Sequence, residues 1–196
     1  MRISELLNES LLQELSRPPT MGKAMTILQN AGYQYLGSGN YANVYAKPGA
    51  NHVIKLFGHS DLAYPKFIEL VQSNPNPHFP KFKGKMMKVT NDYYAIQMER
   101  LSPLPADAKA YSNIDAGSST IGYALNDYTR QAAGLPNNDL SANLIPTIMD
   151  ELEKTQSGIK EACSLIASLS GVVYDIHKNN LMLRGNTLVI TDPVAY

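Results

Sequence analysis

The most informative part of the chain is a polar loop, Tyr-Asp-Ile-His-Lys-Asn-Asn at 174–180, followed by an apolar run with an acidic end, Leu-Val-Ile-Thr-Asp at 188–192. A short predicted hairpin joins the two segments, so Asp175, Asn180 and Asp192 can meet around one cavity. Two carboxylates and an amide are hard oxygen ligands that suit Mg²⁺, which usually also binds substrate phosphates. A remaining carboxylate can orient or deprotonate a hydroxyl group. The pattern therefore predicts a magnesium site with an acid–base group, and a plain polar turn is the alternative.

Three features nearer the N-terminus could serve the same chemistry. Gly37-Ser38-Gly39 lies between two strand-like runs, where glycine permits a tight turn and brings backbone N–H groups close to phosphate oxygens. Lys55 lies in an apolar strand pattern and could neutralise phosphate charge. Glu69 has mostly apolar neighbours on a predicted helix, so we expect it to face inward and pair with Lys55. An ordinary glycine hairpin, a solvent-facing lysine and an exposed glutamate are the respective alternatives.

The composition excludes several classes of protein. Of the 196 residues, 44% are hydrophobic, which is enough for a real core and rules out general disorder. The 17 basic and 17 acidic residues balance, so we expect no direct nucleic-acid binding. No apolar run approaches the ~20 residues of a membrane span, and the four histidines have no zinc spacing. A single cysteine, Cys163, and an N-terminus without a signal-peptide pattern predict a cytoplasmic location.

The pattern divides the chain into three segments. Residues 1–31 are interpreted as an N-terminal helical extension. Residues 32–101 carry five short strand patterns with one helix inserted. Residues 102–196 begin with a polar linker and continue with helices and a small hairpin. This order predicts an α+β chain with a β-rich first half and a helical second half.

The order of these features resembles the protein-kinase-like superfamily. Gly37-x-Gly39-x-x-Ala42-x-Val44 is similar to its nucleotide loop, with alanine for the third glycine, and Val53-Ile54-Lys55 is similar to its strand lysine motif. Within the superfamily, the chain most resembles the early serine/threonine protein kinases of short-tailed bacteriophages of the T-seven type. The motifs that carry this closer resemblance lie at 32–39, 175–182 and 190–194.

The resemblance implies a protein-kinase-like two-lobe fold, with a five-stranded antiparallel N-lobe containing one inserted helix and a reduced, mostly helical C-lobe. It implies ATP and Mg²⁺ as ligands. The implied catalytic residues are Asp175, Lys55, Glu69 and His177. The implied nucleotide-binding residues are Gly37, Gly39, Tyr41, Val44, Lys55, Met98, Glu99 and Leu101, and the implied metal ligands are Asn180 and Asp192.

The sequence also departs from the family pattern. His177 stands where most kinases of the eukaryotic type have lysine, although aminoglycoside phosphotransferases also use histidine there. Val173-Tyr174 replaces the usual His-Arg, and Pro193-Val194 replaces Phe-Gly. The sequence given ends at Tyr196, so we interpret it as a kinase truncated after the metal-binding Asp192, without the usual peptide-docking segment.

Three functions follow from this reading. The leading one is a minimal, ATP-dependent serine/threonine protein kinase that acts on host proteins in the host cytoplasm. The second is a kinase-fold binding protein that inhibits a host factor, and the third is a small-molecule kinase of the aminoglycoside type.

The same reading predicts how the second half is supported. We expect its helices to pack against the 173–192 hairpin, or a homodimer partner to cover that face. The residues expected in this core are Cys163, Leu165, Ile166 and Leu169, with Val194 and Tyr196 tucked against it.

Overall fold

The structure is a computed structural model that describes residues 20–39, 42–58, 60–89, 93–108, 117–138, 140 and 143–196. The chain forms two compact units. The first takes residues up to Asp61 together with Lys81–Arg100, and the second takes Leu62–Pro80 together with Leu101–Tyr196. Within the described ranges, no helix combines the length and the apolar character that a membrane crossing requires.

The first unit is built on an antiparallel sheet preceded by one helix. Its elements are the helix α1 (Met21–Asn30) and the strands β1 (Gln34–Ser38), β2 (Ala42–Ala46), β3 (His52–Gly58), β4 (Phe82–Lys88) and β5 (Tyr93–Glu99). The strand order is β1-β2-β3-β5-β4, so β3 is central. Its apolar run is buried from Val53 to Phe57, as is typical of a strand covered on both faces.

Helix α1 packs on this sheet by one face. The hydroxyl of Thr20 caps the helix by accepting a 3.4 Å hydrogen bond from the backbone N–H of Lys23. Ala24 and Leu28 lie one turn apart and are fully buried. The other buried residues of this cluster are Tyr33, Tyr45, Ile54, Leu56, Val89 and Ala95. Full burial of a leucine-sized side chain contributes about 1.5–3 kcal/mol. Helix α1 is therefore part of the first unit's core, whereas the sequence pattern assigned it to a separate extension at 1–31.

The second unit is mostly helical. Its helices are α2 (Ala63–Ser73), α3 (Ser118–Ala132), α4 (Leu144–Thr155) and α5 (Ile159–Ala167), with a short 3₁₀ helix at Lys178–Asn180. Its strands are β6 (Ser102–Pro103), β7 (Val173–Tyr174), β8 (Leu181–Arg184), β9 (Thr187–Ile190) and β10 (Val194–Ala195). They form a three-stranded sheet in the order β6-β8-β9 and a separate two-stranded sheet, β7-β10.

Residues 62–80 belong to the second unit, although the sequence pattern grouped them with 32–101. The reason is a set of hydrogen bonds to the β8–β9 hairpin and to the loop before α5. The ring of buried His78 lies 2.7 Å from the carbonyl oxygen of Leu188 and 3.0 Å from that of Ser157. The guanidinium of Arg184 donates to the carbonyl oxygens of residues 77 and 79. Long-range bonds of this kind cannot be read from local periodicity.

The predicted fold class is confirmed. The chain is α+β, its five-stranded sheet is antiparallel throughout, and one helix, α2, is inserted in the sequence between β3 and β4. The part that follows the sheet is mostly helical, as expected. Of the predicted extension at 1–31, residues 1–19 lie outside the described residues.

The core predicted for the second half is partly confirmed. Cys163 and Ile166 are fully buried on α5, and burial raises the pKa of the Cys163 thiol to about 12. Leu165 and Leu169 are only half-buried. Val194 is tucked into the unit, as predicted, but the prediction for Tyr196 is wrong, because 71% of this residue is exposed. The two-residue strand β10 ends at Ala195, so nothing in the strand pairing holds the next side chain inward.

Candidate active site

The loop at 175–180 is closed by the pairing of β7 with β10. These strands flank the β8–β9 hairpin, and Val194 pairs with Tyr174 across them. The backbone N–H of Asp175 donates a 2.8 Å hydrogen bond to the carbonyl oxygen of Pro193. On the other side, the carbonyl oxygen of Asn180 accepts bonds of 2.8 and 3.0 Å from the backbone N–H and the hydroxyl of Thr191. Asp192 lies between Thr191 and Pro193 in the chain, so its backbone is held close to both Asp175 and Asn180.

Side chains inside the loop are linked to one another. The side-chain amide nitrogen of Asn180 donates to the carbonyl oxygen of Asp175 at 2.7 Å. The Nδ1 atom of His177 accepts from the backbone N–H of Asn179 at 3.2 Å, so in a neutral ring the proton is on Nε2. That Nε2 atom lies 3.6 Å from a carboxylate oxygen of Asp175 and 3.2 Å from the amide nitrogen of Asn180. The loop therefore brings the carboxylate, the imidazole and the amide close together, although Nε2–H and the amide N–H₂ are both donors and form no hydrogen bond with each other.

The donor set of this group suits a magnesium ion. Because the amide nitrogen of Asn180 points into the loop, its amide oxygen is the end that could bind a cation. Asp192 is half-buried, and the side chain of Asp175 is 50% exposed, so a substrate can reach it. Two carboxylates and an amide leave room for the waters and phosphate oxygens that complete magnesium coordination. Among the described residues, no cluster of three or more His, Cys, Asp or Glu side chains could hold a metal, so a zinc-type site is not found there.

Tyr174 anchors the start of the loop to helix α5. Its hydroxyl lies 2.8 Å from the carbonyl oxygen of Ala167, the last residue of that helix, and 3.2 Å from that of Leu169, and its single proton is shared between these two acceptors. These bonds satisfy carbonyl groups that the end of a helix leaves without a partner in the helix. Burial raises the pKa of the Tyr174 phenol, so it remains a donor in neutral solution.

Helix α3 contacts the loop backbone through two residues that the sequence analysis missed. A Cβ atom built on Gly122 would lie 2.9 Å from the backbone nitrogen of Lys178 and 3.1 Å from the backbone of His177. The side-chain oxygen of Asn126 accepts a 3.1 Å hydrogen bond from the backbone N–H of Ile176. Glycine inside a helix costs about 0.5–1 kcal/mol relative to alanine, and a buried N–H left without a partner costs about 1–3 kcal/mol. A glycine and an asparagine four residues apart in a helical pattern indicate that the two residues share one helix face, but they do not indicate which segment that face contacts.

The predicted glycine turn joins β1 to β2 in the first unit. The backbone N–H of Gly39 donates to the carbonyl oxygen of Ala42 at 2.9 Å, as in a tight hairpin. Neither Gly37 nor Gly39 has a positive φ, and no described atom lies within 4 Å of a Cβ built on either. Backbone conformation and packing within the described chain therefore do not require glycine at position 39, whereas Gly37 lies beside an irregularity of the β1–β2 register, where glycine is common. Tyr41 lies outside the described residues.

Lys55 lies on the central strand of the same sheet. It is 6% exposed, with Val44 opposite on β2 and Ile96 opposite on β5. Met98 is buried on β5, opposite Val53. A buried ammonium group in a sheet interior is costly unless it has a polar or charged partner, so this lysine is not the solvent-facing alternative.

The end of β5 limits how Glu99 could contact an adenine ring. Its backbone N–H donates to the carbonyl oxygen of Lys81 at 3.0 Å, and its carboxylate accepts from the backbone N–H of Lys81 at 2.8 Å. The backbone N–H of Glu99 is thus used within the sheet, and its carbonyl group is the part that could meet a base. Leu101 is half-buried and belongs to the second unit.

Glu69 corrects one prediction about the site. The expectation that it faces inward is wrong, because it is exposed on helix α2. The buried face of this helix is formed by Ala63, Tyr64, Phe67, Ile68 and Val71, and Glu69 lies off that face. The five residues at 67–71 span more than one helical turn and so lie on both sides of the helix. The apolar neighbours of Glu69 therefore do not indicate that its own side chain faces inward. Its pairing with Lys55 stays a prediction.

The predicted site residues thus fall into two groups. The second unit brings together Asp175, His177, Asn180 and Asp192 around one loop. The first unit carries Gly37, Gly39, Val44, Lys55, Met98 and Glu99 on its sheet and glycine turn.

Comparison with known proteins gives a weak structural likeness. No protein-family model matches the chain, and no curated protein matches it. Among solved structures, it is similar to a crystal structure of Rad53 1-466 in complex with AMP-PNP, at 16% identity and a TM-score of 0.39, over 88% of this chain and 42% of that one. It is also similar to the kinase PK-1 of the Cydia pomonella granulovirus, at 15% identity and a TM-score of 0.36, over 88% of this chain and 57% of that one. The chain thus spans less than two thirds of either structure.

Proposed function

We propose that the chain is an ATP-dependent phosphotransferase, and more specifically a serine/threonine protein kinase that acts on a host protein. The observation that carries the proposal is the loop at 175–180. The β7–β10 pairing and the two bonds from Thr191 hold the backbones of Asp175, Asn180 and Asp192 close together, and Asp175 stays accessible. Phosphoryl transfer needs positioning and charge neutralisation rather than covalent chemistry, and this arrangement supplies the positioning.

Each loop side chain has a role in this proposal. The carboxylate of Asp175 would accept the hydrogen bond of the acceptor hydroxyl and orient it for attack on the γ-phosphate. Asn180 and Asp192 would bind Mg²⁺ through their side-chain oxygens. When bound, Mg²⁺ neutralises charge on phosphate oxygens. His177 would keep the Asp175 carboxylate oriented and help position the transferred group.

The first unit would supply the nucleotide contacts. Gly37 and Gly39 leave open space beside the backbone of the turn, which suits the close approach of phosphate oxygens. Lys55 would neutralise the α- and β-phosphates, and Glu69 would fix Lys55. Met98, with the backbones of Glu99 and Leu101, would meet the adenine ring. Tyr41 and Val44 would cover the nucleotide beside the glycine turn.

The acceptor class is the second part of the proposal. The motif resemblance supports a serine or threonine side chain of a host protein as the phosphate acceptor. A small molecule with a hydroxyl group is the second candidate, because His177 lies next to Asp175 as in the Asp-x-His order of aminoglycoside phosphotransferases.

The experiment measures phosphate transfer by the full chain. Purified protein is incubated with γ-labelled ATP and Mg²⁺, alone, with bacterial lysate and with aminoglycosides. We expect label on the chain itself or on a lysate protein. We expect Asp175→Asn to lower the rate of phosphate transfer about 10³-fold, since a catalytic carboxylate typically contributes 10²–10⁴-fold to the rate.

The matched control is Asp150→Asn. Asp150 is an exposed carboxylate on helix α4 that pairs with Lys160. Its loss should leave the rate unchanged. Equal labelling by the Asp175→Asn variant and the wild type would falsify the assignment of this loop. Transfer to an aminoglycoside but to no protein would select the second candidate. ATP binding without any transfer would favour a kinase-fold binding protein.

A further inference from the structure

The contact between helix α3 and the loop is closer than ordinary packing. A Cβ atom on Gly122 would come within 2.9 Å of the backbone nitrogen of Lys178, a distance that real Cβ atoms do not adopt. The nearest atoms belong to the backbone of His177 and Lys178, which cannot rotate away as a flexible side chain could. Alanine at this position would therefore have to displace either the helix or the loop.

Asn126 lies one helical turn after Gly122 and contacts the preceding part of the loop. It is 7% exposed, and its side-chain oxygen accepts the backbone N–H of Ile176. Ile176 is the residue between Asp175 and His177, so this bond fixes the peptide group that joins Asp175 to Ile176. A buried asparagine inside a helix is uncommon unless a hydrogen bond of this kind uses it.

The loop is also held from its other side. Pro193 accepts the N–H of Asp175, and Thr191 donates twice to the carbonyl oxygen of Asn180. The bond from Asn126 and the close approach of Gly122 act on the middle of the loop, at residues 176–178. The two ends and the middle are therefore fixed by different elements.

We propose that Gly122 and Asn126 are positioning residues, which set the depth and the orientation of the catalytic loop. The inference rests on the proposed phosphotransferase function and deepens it. Neither residue contacts substrate in this proposal. They act through the backbone of residues 176–178, and a displacement of about 1 Å in such a loop can cost 10²-fold in rate.

The test compares Asn126→Leu, which keeps the side-chain size but removes the acceptor, with Asn126→Asp, which keeps an oxygen at the same position. For Asn126→Leu we expect faster hydrogen exchange of the Ile176 amide, by at least about tenfold. We also expect kcat to fall about 10–10²-fold, with the KM for ATP changed less than about twofold. Asn126→Asp should restore slow exchange and most of kcat.

Gly122→Ala is an independent second variant. Alanine is the better helix former. If Gly122 had no role outside the helix, this substitution would leave the stability and the activity of the protein unchanged or would raise its stability. We expect instead a kcat about 10²-fold lower at unchanged helix content. Tyr123→Ala is the matched control, because Tyr123 is the adjacent and exposed residue of the same helix, and its kcat should equal that of the wild type.

The outcomes separate this inference from the proposed function. If the wild type transfers no phosphate, the proposed function is wrong. Hydrogen exchange of the Ile176 amide would still test whether Asn126 holds the loop backbone in place. An active wild type together with unchanged exchange and kcat in Asn126→Leu would overturn the inference. A lower melting temperature in which the folded fraction keeps the wild-type kcat would also overturn it, because the role would then be structural only.

Discussion

Gly39, which follows β1, has no structural requirement for glycine within the described chain, whereas Gly37 lies in β1 beside an irregularity of the β1–β2 register, where glycine is common. Gly37 and Gly39 have ordinary φ values, and a methyl group on either would meet open space. Glycine carries an entropic cost that alanine would avoid, so its presence at position 39 favours a requirement that the described residues do not supply. A ligand that approaches the backbone closely is such a requirement.

We therefore predict that Gly39→Ala weakens nucleotide binding without weakening the fold. The melting temperature should stay the same or rise slightly. The dissociation constant for ATP with Mg²⁺ should increase about tenfold, or ~1.4 kcal/mol, by isothermal titration calorimetry. Gly22→Ala is the control: Gly22 also has open space around it, but it lies in helix α1, away from the turn. Equal ATP affinity in both variants would remove the glycine turn from the nucleotide site.

Among the elements, the shortest strand pair has the largest consequence for the site. Strands β7 and β10 have two residues each, yet their pairing joins the start of the catalytic loop to the segment after Asp192. Val194 is 4% exposed, and Pro193 supplies the acceptor for the backbone N–H of Asp175. The loss of a buried valine and of one hydrogen bond amounts to about 2–4 kcal/mol.

Deletion of Pro193 to Tyr196 should lower the free energy of unfolding by about this amount, measured by urea denaturation, and should abolish phosphate transfer. Deletion of Tyr196 alone is the matched control, since its side chain is largely exposed and β10 is complete without it. The prediction is wrong if the deletion of Pro193 to Tyr196 leaves stability and phosphate transfer as unchanged as the control deletion does.

The elements also explain what could be predicted from the sequence. The strands, the glycine turn and the β8–β9 hairpin depend on local signals, such as apolar runs and glycine at turns, and these were predictable. The hairpin predicted between Asn180 and Asp192 indicated that Asp175, Asn180 and Asp192 would lie close to one another.

Other features depend on distant contacts. Asn126 and Ile176 are 50 residues apart, and no local pattern tells which loop a buried asparagine meets. The orientation of Glu69 was mispredicted because a run of apolar neighbours does not define one face of a helix. The membership of residues 62–80 in the second unit depends on hydrogen bonds of His78 to residues 157 and 188.

At the level of the complete chain, ligand binding should increase the stability of the folded state. A ligand that binds only the folded state stabilises it by mass action, by about 2.7 kcal/mol at a concentration of 100 times its dissociation constant. We predict that ATP with Mg²⁺ raises the melting temperature more than ATP alone or Mg²⁺ alone.

The metal-dependent part of this shift tests the proposed ligands. Asp192→Asn should lose most of the increment that Mg²⁺ adds to ATP, while Asp150→Asn should keep it, in a thermal-shift assay at equal protein concentration. A metal increment that survives Asp192→Asn would show that the ion is held elsewhere.

The β7–β10 pairing also affects the order in which the protein matures during translation. Domains generally begin to fold while the rest of the chain is being synthesised. The strands of the first unit and helix α3 precede the loop, but the N–H of Asp175 has no acceptor until Pro193 has left the ribosome. A nascent chain can therefore hold a finished glycine turn and a buried Lys55 while its catalytic loop is still unformed. Under the proposed function, such a chain would transfer no phosphate until the segment at 193–195 has been added and paired.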